Sequence, residues 1–484
     1  MNDKNKSLVK TVALVFGWVV AAVFIAFTIF FAAENARLKN EIANSSGAAE
    51  AKSETYDFYI TLGTMPTLYA TLNAYANKNP NTYMWFYRGN TLSYQYSGEF
   101  IRYFDFQSKT NANSEINYVA IRDKVREIRT ENPAAKFRLF CDDLRVRFIA
   151  DIFVAAGVDF EDMQVTLLSD GTGTYSMYDE LTEEAYVSQA EEWRTVLKAY
   201  TDRRDDENFC YFSEQNGQAM EMQSFAFYVS TFDNVSYWMQ HPDYLICENS
   251  NTLAAQRNAM NIIKKDPKAM YNALDEATRT DYRKAILANA LVDSDTLHTL
   301  DDAVNYFDSQ LSGRDKETVL ILGTSYNGLE HNRSFIDQTI AYYTPTRKGD
   351  GNTVMFKGRE YVSSDETIVA DGKTYKIGEI SVYLFFKGHP AYPADAELQA
   401  YFKENEIVML PHRTPVETLF WMYDVKTGGY QSTSFLSCSQ GQTEFFYGEP
   451  TTPAIVTMKM RGFFDGTTVF EEKSSEEIVN DSEL

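Results

Sequence analysis

Residues 380–390 have the sequence Ile-Ser-Val-Tyr-Leu-Phe-Phe-Lys-Gly-His-Pro. The apolar run that opens this stretch is short and rich in β-branched and aromatic residues, which predicts a strand buried on both faces. The strand stops at Lys387-Gly388-His389-Pro390. In an open α/β sheet, ligands bind in the crevice beyond the carboxyl ends of the strands. We therefore expect Lys387 and His389 to meet an anion there.

Two later segments fit the same anion site. Thr414-Pro415-Val416-Glu417 predicts a helix start, with Thr as N-cap, Pro at the first helical position and Glu at the third. The run from Gly428 to Phe435 predicts a glycine-rich turn whose hydroxyls and backbone N–H groups cradle phosphate. Structural interpretations stay open, because Glu417 fits a capping box and the later run fits an ordinary helix entry. The dipeptide His389-Pro390 occurs again as His241-Pro242, so by itself it is weak evidence for a ligand site.

A turn with an acidic residue follows a predicted strand in the first half of the chain. Gln164–Leu168 predicts this strand, and Ser169-Asp170-Gly171 continues it directly. From Tyr56 onward, strand-like and helix-like segments alternate, which predicts βαβ units and a parallel sheet. Asp and Gly are ordinary turn residues. Their position at the carboxyl end of a strand nevertheless favours a place in the ligand crevice.

In these blocks the sequence resembles the bacterial sialyltransferases of glycosyltransferase family 80. Members of that family hold their donor, CMP-sialic acid, with a Lys-Gly-His-Pro block, a later Glu and a Gly-Gly…Ser-Ser block. Thr433 stands where the family usually has a second Ser. The positions that match these donor-binding blocks are Lys387, Gly388, His389, Pro390, Glu417, Ser432 and Thr433.

The resemblance also assigns a role to the acidic turn. At the corresponding place the family has an acidic-acidic-Gly block followed by a Tyr, and the second acid is the catalytic base. Asp170 matches that base and Tyr175 follows it, whereas Ser169 replaces the first acid. A weaker match suggests that Gly323 and Tyr326 line the sugar or acceptor site.

The resemblance implies an α/β protein in which two Rossmann-like domains face each other across a cleft, the GT-B arrangement. It implies an inverting sialyltransferase that moves sialic acid from CMP-sialic acid to a hydroxyl of an oligosaccharide or glycolipid. Asp170 and His389 would be the catalytic residues, and neither a metal nor another cofactor would be required. The alternative is a membrane-tethered protein of the same fold that binds glycans or nucleotides and has lost catalysis, an interpretation motivated by Ser169.

The length and patterning of the chain suggest six segments. Residues 11–33 contain no charge and are long enough to cross a bilayer as a helix, so we expect a signal anchor there. The side of the membrane stays open, because basic residues lie on both flanks of this run. The predicted segments are the flank 1–10, the anchor 11–33, a tether 34–54, a first domain 55–220, a donor domain 221–465 and an acidic tail 466–484.

The net charge of −23 argues against nucleic acid as a partner, since nucleic-acid binding needs basic patches. Asp293-Ser294-Asp295 has a form that some glycosyltransferases use to hold a metal, but acids before a helix are also good caps. Helix capping is the preferred interpretation. Residues 352–376 contain two Gly-based turn signals, Lys357-Gly358 and Asp371-Gly372, and predict hairpins. The family that the sequence resembles lacks this insertion, which implies that the hairpins shape the acceptor side.

Overall fold

The structure is a computed structural model that describes residues 54–86, 98–104, 118–143, 146–187, 221–245, 250–323, 328–349, 351–389, 393–430, 432–449, 451 and 453–471. The predicted anchor, 11–33, lies outside these residues. No helix among the described residues has the length and apolarity needed to span a membrane. Contacts join the described residues of Thr55–Glu131 and Ala135–Leu484 into one compact unit that contains two parallel sheets.

The first sheet has seven parallel strands in the order β3-β2-β1-β4-β5-β6-β7. Its strands are β1 Thr55–Thr61, β2 Thr82–Phe86, β3 Ile101–Tyr103, β4 Lys136–Asp142, β5 Gln164–Leu168, β6 Val235–Met239 and β7 Ile262–Lys264. The helices of this half are α1 Thr64–Asn77, α2 Tyr118–Glu131, α3 Val146–Ala155, α4 Thr172–Glu180, α5 Glu221–Val229 and α6 Asn251–Ala259. The central strands are buried on both faces, as the predicted parallel sheet requires.

Three helices follow the first sheet before the second begins: α7 Pro267–Asn272, α8 Glu276–Leu287 and α9 Leu300–Leu311. The strands of the second parallel sheet are β8 Glu317–Leu322, β14 Val382–Lys387, β15 Val408–Met409, β16 Lys426–Gly429, β17 Thr443–Tyr447 and β18 Thr468–Phe470. Its helices are α10 Leu329–Tyr343, α11 Ala396–Glu404, α12 Val416–Met422 and α13 Pro453–Met460. The strand order is β15-β14-β8-β16-β17-β18.

Both sheets have the Rossmann order, in which the chain starts at a central strand, builds outward on one side and then crosses to the other. The crossing points are the β1–β4 pair in the first sheet and the β8–β16 pair in the second. Crevices beyond the carboxyl ends of such pairs are where ligands bind. Two Rossmann-like sheets are therefore present, as predicted.

Two predicted boundaries are wrong. A change of domain was predicted at residue 220, but β5 and β6, on either side of that position, are neighbours in one sheet. The first sheet extends to Lys264. The acidic tail was predicted from residue 466, yet Thr468–Phe470 forms β18, because its β-branched and aromatic residues pair with β17.

The predicted hairpins exist, but they lie at the opposite end of the strands from the one expected. They are formed by β9 Thr346–Arg347, β10 Thr353–Phe356, β11 Arg359–Val362, β12 Thr367–Ala370 and β13 Lys373–Lys376. Lys357, in the turn between β10 and β11, places its Nζ 3.3 Å from Oε2 of Glu317 at the amino end of β8. Ligand crevices lie at carboxyl ends, so these hairpins do not shape that side.

Candidate active site

A cavity of about 320 Å³ lies beyond the carboxyl ends of strands from both sheets. The first sheet contributes the residues that follow β1 and β5, and the second contributes those that follow β8, β14 and β16 together with the start of α12. The residues predicted for the site that line this cavity are Asp170, Gly323, Lys387, Gly388, His389, Glu417, Ser432 and Thr433. Pro390 and Tyr326, also predicted, lie outside the described residues.

Asp170 is positioned by its backbone and by a close contact with a glycine. Its N–H donates to Oγ1 of Thr174 at 2.9 Å, and Thr174 in turn donates to the buried carboxylate of Asp143. The Asp170 carboxylate packs over Gly63, where an added Cβ would lie only 2.0 Å from Oδ1. A side chain at position 63 would therefore require the Asp170 carboxylate to move.

Two buried acids at the carboxyl end of β4, Asp142 and Asp143, support this wall of the cavity. The Asp142 carboxylate accepts hydrogen bonds from the N–H groups of Leu62 and Gly63, at 2.5 and 2.9 Å. Asp143 accepts from the Tyr237 hydroxyl at 2.6 Å as well as from Thr174. Neither acid was predicted. The available signal was a pair of acids directly after a buried strand, at the point where the sheet order reverses.

Lys387 is the last residue of β14 and is only 3% exposed. Its Nζ donates to the backbone carbonyls of Gly388 and His412, at 2.8 and 2.6 Å. Burial lowers the pKa of Lys387 to about 8, although the nearby carboxylates of Glu417 and Asp293 act in the opposite direction. The ammonium therefore ties two loops together beside the cavity, and half-buried His389 lines the cavity two residues later.

Glu417 does not cap its helix. Pro415 occupies the N-cap position of α12 and no side chain caps this end, so the predicted Thr414 cap is wrong. Thr414 is buried, and its Oγ1 has no hydrogen-bond partner among the residues that the structure describes. Glu417 is 6% exposed and accepts a hydrogen bond from the Ser434 hydroxyl at 2.6 Å. The carboxylate is thus joined to the hydroxyl-bearing segment rather than to its own helix.

The predicted glycine-rich turn is partly a strand. Gly428 and Gly429 belong to β16, because each allows a close approach that a side chain would prevent. A Cβ on Gly428 would lie 2.5 Å from the Phe445 ring, and one on Gly429 would lie 2.2 Å from the carbonyl oxygen of Leu322. The hydroxyls begin after the strand, where the Ser432 side chain caps the 3-10 turn Thr433–Ser437 by accepting from Ser434 N. This turn is called the hydroxyl turn below.

Asp293 has basic partners rather than a second acid. Its carboxylate lies 3.3 Å from Nε of Arg413 and 3.3 Å from Nδ1 of His412, and it accepts the Arg413 N–H at 2.7 Å. These contacts fix the loop that leads into α12. They fit neither the metal site considered for Asp293-Ser294-Asp295 nor a simple helix cap.

Comparisons with solved structures identify the fold. An α/β-galactoside α-2,3-sialyltransferase from the luminous marine bacterium Photobacterium phosphoreum matches with a TM-score of 0.56 and 13% identity, over 87% of this chain and 99% of that one. A sialyltransferase from Photobacterium damsela gives a TM-score of 0.56 and 13% identity, over 87% and 82%. The chain has the sialyltransferase GT-B fold.

A third structure with this sialyltransferase fold was solved with ligands. It is a 2,6-sialyltransferase from a Photobacterium of the Vibrionaceae, in a ternary complex with the donor product CMP and the acceptor substrate lactose, and it matches with a TM-score of 0.54 and 13% identity over 86% of this chain and 78% of that one. No protein-family model matches the chain, and no curated protein matches it. At this level of identity, sequence resemblance is confined to short blocks.

Proposed function

We propose that this protein is an inverting sialyltransferase that moves sialic acid from CMP-sialic acid to a hydroxyl of a galactose-containing glycan. The observation that carries the proposal is a single cavity in which Asp170 of the first sheet faces His389, Glu417 and Thr433 of the second. The fold shared with solved sialyltransferases supports it. The complex of one such structure with CMP and lactose supports these ligands.

The second-sheet wall is suited to hold the leaving CMP. When the glycosidic bond breaks, its electron pair moves to the phosphate oxygen, and negative charge grows there. His389 donates a hydrogen bond or proton to this phosphate, and the hydroxyls of Ser432 and Thr433 stabilise the same group. The buried ammonium of Lys387 adds positive charge behind the segment that carries His389. A carboxylate has several acceptor sites, so Glu417 can accept from the ribose hydroxyls while it keeps its bond to Ser434.

The first-sheet wall is suited to activate the acceptor. Asp170 takes the proton from the acceptor hydroxyl as its oxygen attacks the anomeric carbon from the face opposite CMP, and this displacement inverts the configuration. The base must be held rigidly to act this way. The Thr174 hydrogen bond holds the Asp170 backbone, and the Asp170 carboxylate lies directly over Gly63.

We propose that the reaction needs no metal, because His389, Lys387 and the hydroxyls supply the stabilisation that a divalent ion otherwise gives to a leaving phosphate. Turnover is then expected to survive excess EDTA without loss. Activity that disappears with EDTA and returns with added Mg²⁺ or Mn²⁺ would refute this part of the proposal.

The second candidate is a protein that binds glycans or nucleotides without catalysis, favoured by Ser169, which replaces an acid of the family block and is only 3% exposed. Release of CMP from CMP-sialic acid, measured with and without lactose, separates the two candidates. The transferase should release CMP faster when lactose is present, with sialylated lactose as product. A binding protein should bind CMP and release none from the donor.

A further inference from the structure

His241 forms a hydrogen bond between the two halves of the molecule. It follows β6 of the first sheet, and its Nε2 lies 2.9 Å from the carbonyl oxygen of Leu436, 195 residues later. Since a carbonyl oxygen only accepts, Nε2 is the donor. Leu436 belongs to the hydroxyl turn, whose first residue, Thr433, lines the cavity.

The imidazole of His241 is held in one orientation. Its ring stacks on Tyr244 at a centroid distance of 4.7 Å and meets the edge of Phe463 at 5.8 Å. The His241 backbone N–H lies 3.2 Å from the Tyr175 hydroxyl. Burial lowers the pKa of His241, so the neutral ring with a proton on Nε2 is favoured near neutral pH.

The other contacts between the first half and the hydroxyl turn are less directional. Ser437 Oγ lies 3.3 Å from Sδ of Met65, and a thioether is a weak acceptor. Gly171 has no side chain, and even a Cβ built on it would come no closer than 3.7 Å to Cδ1 of Leu436 and 3.8 Å to Cβ of Thr433. His241 is therefore the strong polar link in this group of contacts.

We infer that His241 is a positioning residue that fixes the hydroxyl turn against the half of the molecule that carries Asp170. The inference rests on the proposed function. In that function, the His241 hydrogen bond sets the separation between the base and the hydroxyls that hold the donor phosphate. A displacement of about 1 Å between reacting groups can cost on the order of 10²-fold in rate. His241 acts through Thr433 and Ser432 and does not itself line the cavity.

Two substitutions separate the hydrogen bond from the packing. His241→Phe keeps an aromatic ring against Tyr244 and loses the donor, whereas His241→Gln loses the ring and keeps an N–H donor at similar reach. If the hydrogen bond positions the turn, kcat for transfer to lactose should fall about 10- to 100-fold in His241→Phe. It should stay within about threefold of the original value in His241→Gln, and donor KM should rise in His241→Phe alone, because the displaced turn holds the donor phosphate.

Amide hydrogen exchange gives a readout that does not depend on turnover. Exchange in a peptide covering 433–438 should be faster in His241→Phe than in the unaltered protein, and nearly unchanged in His241→Gln. His298→Phe is the matched control, because His298 is exposed and does not line the cavity. Thermal melts define a temperature at which every variant is folded.

The outcomes distinguish this inference from the proposed function. An unaltered protein that releases no CMP would refute the function, while the exchange comparison would still show whether His241 holds the turn. Equal exchange in the Phe and Gln variants, or a loss of transfer in folded His241→Gln alone, would overturn the inference in favour of a packing role. If His241→Phe does not fold, loss of transfer in folded His241→Gln suffices to overturn it.

Discussion

Lys387 carries a buried positive charge beside the proposed phosphate site, and its pKa is lowered to about 8 by burial. Below that pH the amine is protonated, and above it the charge is lost. The phosphate of CMP is already a dianion above pH 7, so the nucleotide does not titrate in this range. We predict that the Kd for CMP rises about 10-fold between pH 7 and pH 9.5, the value of one charge-assisted hydrogen bond.

Calorimetry in buffers of different ionisation enthalpy checks this prediction. A bound dianion stabilises the ammonium and raises its pKa, and the predicted 10-fold change in Kd corresponds to a rise of about one pH unit, so binding at pH 8.5 should take up about half a proton. Binding at pH 6.5 should take up almost none through Lys387, because the amine is already charged. A Kd that stays constant from pH 7 to pH 9.5 would show that the Lys387 charge does not act on the phosphate.

Single site residues were predictable where a polar or ionisable side chain directly follows the end of a strand. Asp170 and His389 were predicted from such positions, and Thr433 from a glycine-rich run and the family resemblance. All three line one cavity, although their roles remain proposals. Asp143 and His241 were not predicted as site residues. Their importance lies in contacts with residues 31 and 195 positions away, and no local pattern in the sequence encodes such contacts.

At the scale of elements, the β8–β16 pair places the hydroxyl turn. Gly429 pairs with Leu322 at a φ of 140°, a conformation in which an L side chain is strained, and a Cβ there would also clash with the Leu322 carbonyl oxygen. We predict that Gly429→Ala lowers the free energy of unfolding by about 2–5 kcal/mol, from strain and overpacking together. Urea unfolding measures this change, and donor KM should rise in the same variant.

Gly441→Ala is the matched control for that substitution. Gly441 also has a positive φ, 75°, but a Cβ there would meet nothing within 4 Å. Strain alone should cost about 1–2 kcal/mol, with no effect on donor KM. Equal losses of stability in the two variants would mean that the approach of β16 to β8 is not what requires Gly429.

Elements were predictable where their patterns are local. The strands at Gln164–Leu168 and Val382–Lys387 follow from short apolar runs that end at polar turns. Gly428 and Gly429 were misassigned to a turn, because glycine in a sequence does not show whether it permits a bend or a close neighbour. The hairpins were correctly predicted. The end of the strands at which they lie depends on a tertiary contact, that of Lys357 with Glu317.

At the scale of the whole molecule, the described residues that line the cavity all lie between Thr64 and Ser434. We propose that the uncharged stretch 11–33 anchors the protein in a membrane, and the sequence alone supports this. A protein that begins at Lys52 should therefore be soluble and keep the kcat/KM of the full chain. The measurement is CMP release by both forms, with the full chain assayed in detergent. A truncated protein that folds without turnover would contradict the expectation.

The Rossmann-like pair of sheets was predictable, whereas the point at which the chain changes sheet was not. A polar segment at 202–207 resembles a linker in composition, yet the strands on either side of it belong to one sheet. The chain also returns to the first half after β17, because α13 packs on α4 before β18 joins the second sheet. Such crossings depend on which apolar faces pack together. The sequence predicts the apolar faces but not which face packs against which.

The central claim is that Asp170 is the base of a transfer reaction whose donor binds on the opposite wall. The most direct test is the rate of sialic acid transfer to lactose by Asp170→Asn, with CMP affinity measured on the same folded protein. Asn retains the shape of Asp and its suitability for a turn, so only the proton acceptor is lost. We expect transfer to fall about 10²- to 10⁴-fold, the usual contribution of a positioned general base, with CMP affinity almost unchanged. Near-normal transfer by the folded variant would contradict the account.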